Sequence, residues 1–134
     1  MFSSIIFNLI VIFLFYVDLQ LLLDMGAKID ARTVDGWTPL HSAANWGNAD
    51  VAAILLRYGA DINSQTNGLQ TPLHLAAANA SNAEILKLLL TNEFLRPELR
   101  NKVGETAHEV AERCCRFHRL FLIVDPTLNS LTSS

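Results

Sequence analysis

Residues 35–47, DGWTPLHSAANWG, set a hydroxyl, Ser42, beside an imidazole, His41, with a second hydroxyl, Thr38, three positions earlier. A serine next to a histidine is the raw material of acyl transfer. The imidazole takes the hydroxyl proton, an acid orients the ring, and backbone N–H groups hold the oxyanion. Neither an orienting acid nor an oxyanion site is recognisable here. In Thr71-Pro72-Leu73-His74-Leu75, which lies 33 residues further on, leucine stands where Ser42 would be. The histidine recurs and the nucleophile does not, so no residue is expected to be catalytic and the chain is not expected to be an enzyme. Cys115 and His118 could share a metal, but two donors without a second pair fall short of a four-ligand site. No metal or cofactor is expected.

What recurs is a frame for elements. The step that carries Thr38-Pro39-Leu40-His41 onto Thr71-Pro72-Leu73-His74 also carries Gly26-Ala27-Lys28-Ile29-Asp30 onto Gly59-Ala60-Asp61-Ile62-Asn63. A fixed period of this length belongs to stacked repeats, each burying its apolar side against its neighbours. Thr38 and Thr71 can cap helix starts. Pro39 and Pro72 then take the first helical position, whose N–H has no intrahelical partner. Val51, Ile54 and Leu55 form one apolar face of a second helix, and Gly59 can close that helix in the left-handed conformation. Asp35-Gly36 and Asn67-Gly68 signal turns. Gly68 lies one place nearer the N-terminus, relative to its threonine, than Gly36 does, which predicts a different tip for the second turn.

The residues TPLHSAA and TPLHLAA, with ILLRYGADIN before the second, resemble the ankyrin repeat family. The resemblance implies an all-α solenoid of stacked helix-turn-helix units with short hairpin fingers, and a role in binding proteins. It also implies that Thr38, Thr71, His41 and His74 are structural groups, hydrogen-bonded within and between units. The expected division is an apolar segment at 1–18, a partial unit at 19–32, full units at 33–65 and 66–99, a degenerate capping unit at 100–125 and a tail at 126–134. In the third copy Glu93-Phe94 replaces the Gly-Ala after the helix, and the fourth opens with Gly104-Glu105-Thr106-Ala107-His108-Glu109. These departures argue against an ordinary finger between Asn92 and Val103. Two last helices are expected, the second short and ending before Pro126. The loop around Leu95-Arg96-Pro97-Glu98-Leu99 and the GETAHEVAERC ending resemble a branch of the family associated with the nucleus and with positive regulation of transcription.

The first 17 residues, MFSSIIFNLIVIFLFYV, contain no Ala, Gly, Pro, Asp, Glu, Lys or Arg. They meet the repeat pattern in the middle of a second helix. No basic residue precedes them and no small-x-small site follows, which disfavours a secretory signal. Three readings stay open. A signal anchor of about 26 Å would keep the repeats cytoplasmic. A translated intron or wrong start would explain the abrupt junction, and an apolar cap would cover Leu19, Leu22 and Leu23. The expected location is the nucleus or cytoplasm, with membrane tethering as the alternative.

The net charge of −3, from 10 Lys and Arg against 13 Asp and Glu, disfavours strong nucleic-acid binding. Arg96, Arg100, Lys102, Arg113, Arg116 and Arg119 make the C-terminal part locally basic, but Glu98, Glu105, Glu109 and Glu112 are interleaved, as on a solvated surface. Cys114 and Cys115 are adjacent, so a disulfide between them is not expected, and free thiols agree with a reducing compartment. Asn79-Ala80-Ser81 is a glycosylation sequon that would matter only in a lumen.

By resemblance, the variable positions along the fingers and concave groove are the partner-binding surface. In the first unit these are Val34, Asp35, Trp37, Ser42, Asn45 and Trp46. In the second they are Asn67, Leu69, Gln70 and Asn79. Large aromatics at such positions serve as binding anchors.

Overall fold

The computed structural model describes residues 28–79, 83–114 and 117–123. The apolar segment at 1–17, the partial unit up to Ala27, the Cys115 thiol, the middle of the sequon and the tail lie outside these residues. Five α-helices follow one another: α1 (Pro39–Asn45), α2 (Ala49–Arg57), α3 (Pro72–Asn79), α4 (Ala83–Leu90) and α5 (Ala107–Cys114). A 3₁₀ helix, His118–Ile123, comes last, where a second helix of the final unit is expected. Among the described residues there is no strand, and the one isolated bridge is antiparallel, between Arg100 and Thr106. None of these helices is long and apolar enough to cross a membrane.

The capping chemistry places both first helices. The Thr38 side chain accepts from the His41 N–H, and the His41 ring accepts from the Thr38 N–H, closing a reciprocal capping box with Pro39 at the helix start. Thr71 and His74 repeat it, with Thr71 N–H donating to His74 Nδ1 at 3.2 Å and His74 N–H to Thr71 Oγ1 at 3.2 Å. Each such cap is worth about 1 kcal/mol. At the ends of α1 and α2, Gly47 and Gly59 sit at φ 72° and 95°. Gly47 N–H reaches Ala44 O and Asn48 N–H reaches Ala43 O; Gly59 N–H reaches Leu56 O and Ala60 N–H reaches Leu55 O. These paired bonds form a Schellman ending in both helices.

The helices pack in two rows. α3 lies between α1 and α5, while α4 lies between α2 and the 3₁₀ helix. Ala43, Ala44, Ala76, Ala77, Ala107 and Ala111 are buried along the first row, where small side chains let the helices approach closely. Leu55, Ile85, Leu86 and Leu89 fill the space beneath, and Phe121 closes the far end.

Two expectations about the fingers are corrected. Residues 33–37, 66–70 and 101–105 make the same turn. Its marks are Gly36 N–H to Thr33 O, Leu69 N–H to Thr66 O and Gly104 N–H to Asn101 O, with the bases closed by Thr33 N–H to Trp37 O, Thr66 N–H to Gln70 O and Asn101 N–H to Glu105 O. This is a tight turn followed by one left-handed residue. The third finger therefore forms, because Asn101 supplies the oxygen that threonine supplies elsewhere. Its Oδ1 accepts from Glu105 N–H at 2.9 Å, as Thr66 Oγ1 accepts from Gln70 N–H at 3.2 Å. Nor does the second finger have a different tip. Leu69 itself takes the left-handed conformation, at φ 61°, where the other two fingers have Gly36 and Gly104.

Candidate partner-binding surface

The fingers are fastened to one another by side chains just before each turn. Arg32 Nη1 donates to Gly36 O in its own finger at 2.8 Å and to Gln65 O in the next at 3.0 Å. Gln65 Nε2 does the same to Leu69 O at 3.0 Å and to Arg100 O at 3.3 Å. Arg100 Nη1 completes the series on Gly104 O at 2.7 Å. Main-chain bonds add to this, from Asn67 N–H to Asp35 O at 3.1 Å and from Lys102 N–H to Gly68 O at 2.9 Å. The sequence reading missed these braces. The signal available to it was position alone, since Arg32, Gln65 and Arg100 each immediately precede a finger but differ in type.

The histidines carry the fastening into the helices. His41 is fully buried. Its Nδ1 accepts from Thr38 N–H at 3.1 Å, so the ring proton sits on Nε2 and is shared between Ser64 O at 3.1 Å and Gln70 O at 3.0 Å. His74 Nε2 meets Glu105 O at 2.9 Å. Burial pushes the His41 pKa down from 6.5 to about 4, with nearby Arg32 adding to the shift and the two carbonyls and Asp61 opposing it. His74 is lowered for the same principal reason. Both rings are neutral struts. The Thr38 N–H and the Ser64 and Gln70 carbonyls occupy both His41 ring nitrogens, so the ring does not pair with Ser42, which is 3% exposed on the buried side of α1. Ser42 is therefore withdrawn from the binding surface: at this point of the helix the side chain faces the stack.

The other candidates divide by exposure. Val34 at 70%, Leu69 at 43% and Trp46 at 60% present apolar surface to solvent. Asp35, Asn67 and Asn79 are exposed, and Gln70 and Asn45 are half-buried. Trp37 is half-buried with its ring tilted over His41, the centroids 6.4 Å apart. Asn79 Nδ2 donates to Asn45 Oδ1 at 2.7 Å, which joins the ends of α3 and α1. Val103, at 81% exposure on the third finger, was not foreseen because that finger was not.

Elsewhere the surface offers little chemistry. Arg96 pairs with Glu98 at 3.0 Å, Arg100 with Glu109 at 3.1 Å and Arg113 with Glu105 at 2.9 Å, so acids match these three arginines of the basic cluster. Among the described residues no group of three His, Cys, Asp or Glu could hold a metal. The loop around Pro97 is anchored on Asn63, which donates to Phe94 O at 2.8 Å and accepts from Arg96 N–H at 2.8 Å. A hollow of about 370 Å³ beside it, walled by Leu56, Ala60, Ile62 and Phe94, carries Asp61 as its one carboxylate.

The ankyrin repeat family model matches residues 35–67 and 69–102. The chain belongs to the ankyrin-repeat family. It is 52% identical over 144 residues to ankyrin repeat domain-containing protein 49 of Mus musculus, covering 83% of this chain and 60% of that protein. The Homo sapiens protein of that name is 51% identical over 148 residues, covering 86% and 62%. Protein phosphatase 1 regulatory subunit 12A of Mus musculus is 45% identical over 38 residues, or 28% of this chain and 4% of that protein. The chain thus spans about three-fifths of the length of the first two relatives. Ankyrin repeats are a protein-interaction module rather than a known enzyme family, and that is the class to which this stack is assigned.

Proposed function

We propose that the chain is a non-enzymatic adaptor that holds a protein partner on the finger side and on the helix ends next to it. The observation that carries this reading is the set of apolar side chains, Val34, Leu69, Trp46 and Val103, exposed on backbone that hydrogen bonds hold rigid. Groups fixed before binding lose less freedom when the complex forms, so a modest contact area gives useful affinity. Trp46 is the aromatic anchor, and the aliphatic fingertips extend the contact. Its place of work is the nucleus or cytoplasm, in the manner of an intracellular regulator. The resemblance of the loop around Pro97 and of the GETAHEVAERC ending to a nuclear, transcription-associated branch motivates that reading, and a role in transcription is the finer proposal.

A double variant, Val34→Ser with Trp46→Ala, tests the surface. A partner captured by the wild-type chain and lost from a variant of unchanged melting temperature supports the reading. Equal capture by both removes this surface from consideration. Membrane tethering through residues 1–17 is the competing proposal. Sedimentation of the full chain with membranes after a high-salt wash would favour it, and recovery in the supernatant would favour the adaptor.

A further inference from the structure

The tip of the second finger carries the dipeptide Asn67-Gly68. Glycine after asparagine leaves the next backbone nitrogen unshielded and free to turn, which favours its attack on the preceding side chain. In that reaction the Gly68 nitrogen bonds to Asn67 Cγ and the Cγ–Nδ2 bond breaks. Nδ2 departs as ammonia with the amide proton. Water then opens the five-membered imide to aspartate or isoaspartate. Atoms balance with water as the one co-reactant.

The structure fastens this dipeptide from both sides. Asn67 N–H donates to Asp35 O at 3.1 Å, and Lys102 N–H donates to Gly68 O at 2.9 Å. Asn67 Nδ2, the leaving group, donates to Val34 O at 3.0 Å, and Gly68 N–H, the attacking group, donates to Thr66 Oγ1 at 3.2 Å. Contact with the first finger is close enough that a Cβ on Gly36 would come within 2.6 Å of Asn67 Oδ1. The leaving group is therefore held by the first finger, and the attacking N–H by Thr66 within the second.

We propose that Asn67 is a spontaneous deamidation site held in check by its neighbours, so that separation of the first and second fingers is recorded as a permanent carboxylate. The product cannot restore the contact. A carboxylate replaces the donor facing Val34 O and stands near Asp35, and isoaspartate lengthens the backbone by one carbon beside the close contact with Gly36. The exposed fingertip row is altered at its centre.

The test is a time course of the full chain at 37 °C in mildly alkaline buffer, read by peptide mass spectrometry as a one-dalton gain at Asn67. Parallel samples hold the chain unfolded in guanidinium. The native chain should convert at least about tenfold more slowly than the unfolded one, because reaction requires the local opening that the four bonds resist. Gly36→Ala should accelerate it by forcing the first finger away. Thr66→Val, which frees the Gly68 N–H, should do so without disturbing Gly36. Equal rates in native and unfolded chains overturn the protection. No gain at Asn67 even in guanidinium overturns the site.

Discussion

Acid should weaken this stack through His41 in a way that one substitution can isolate. The ring is fully buried and is needed neutral, since Nδ1 must accept from Thr38 N–H while Nε2–H donates to two carbonyls. Its pKa falls from 6.5 in the unfolded chain to about 4 in the fold. Above pH 6.5 neither state binds the proton. Between pH 6.5 and 4 the unfolded chain takes it up and the native ring does not, so stability falls with falling pH. Below 4 both states are protonated and this loss levels off. At about 1.4 kcal/mol per pH unit the whole shift amounts to about 3 kcal/mol, of which at least about 2 kcal/mol is lost by pH 4.5. For a domain held by roughly 5–15 kcal/mol that is a large fraction. Urea unfolding followed by tryptophan emission is the assay, run at pH 7.5, 5.5 and 4.5 on the wild-type chain and His41→Gln. The variant is less stable at pH 7.5 but should lose about 2 kcal/mol less on going to pH 4.5, because the carboxylates titrate alike in both. Parallel losses would falsify the assignment of a neutral buried ring. His74 adds a contribution of the same sign, visible as a residual slope in the variant.

Leu69→Gly should raise the melting temperature, since a left-handed leucine costs about 1–2 kcal/mol and glycine gives back less than that in chain entropy; a lower melting temperature would count against strain at this position. Gly36→Ala should destabilise more than Gly104→Ala in chemical denaturation, because both sit at positive φ but the added Cβ meets Asn67 within 3 Å in the first and nothing within 4 Å in the second. Equal losses would mean the first two fingers are not in close contact. Leu86→Ala, at a fully buried position in α4, should cost about 2–5 kcal/mol, whereas Trp46→Ala should stay within about 0.5 kcal/mol by thermal melting while abolishing partner capture.

The helices were legible because their signals are local. Thr38-Pro39 and Thr71-Pro72 state where a helix begins, Gly59 states where one ends, and apolar spacing states which side is buried. The fingers were only partly legible, because their conformation is enforced by other fingers. Nothing in Leu69 announces positive φ; Gln65 and Thr66 impose it through the Leu69 carbonyl and N–H. Asn101 replaces threonine with a different oxygen acceptor in the same turn, a substitution of geometry that a residue pattern built on Thr does not register. At the candidate surface, Trp46 and Val34 are exposed, but Ser42 is buried. Burial of that one position depends on how far α1 rotates against α3, which helical spacing in a seven-residue helix does not determine.

The histidine bonds also give the stack a direction. His41 reaches forward to Gln70 O and His74 to Glu105 O, while those same carbonyls already accept from Thr66 N–H and Asn101 N–H in their own fingers. Losing the unit behind leaves a carbonyl with one partner still in place. Losing the unit ahead leaves His74 Nε2–H without the Glu105 carbonyl, whereas His41 Nε2–H keeps Ser64 O of its own unit, and an orphaned donor is the costlier defect. The two ends of the array are therefore not equivalent under fraying: loss of the unit ahead removes an acceptor from a buried histidine, and loss of the unit behind removes the acceptors of the fingertip donors Asn67 N–H and Lys102 N–H.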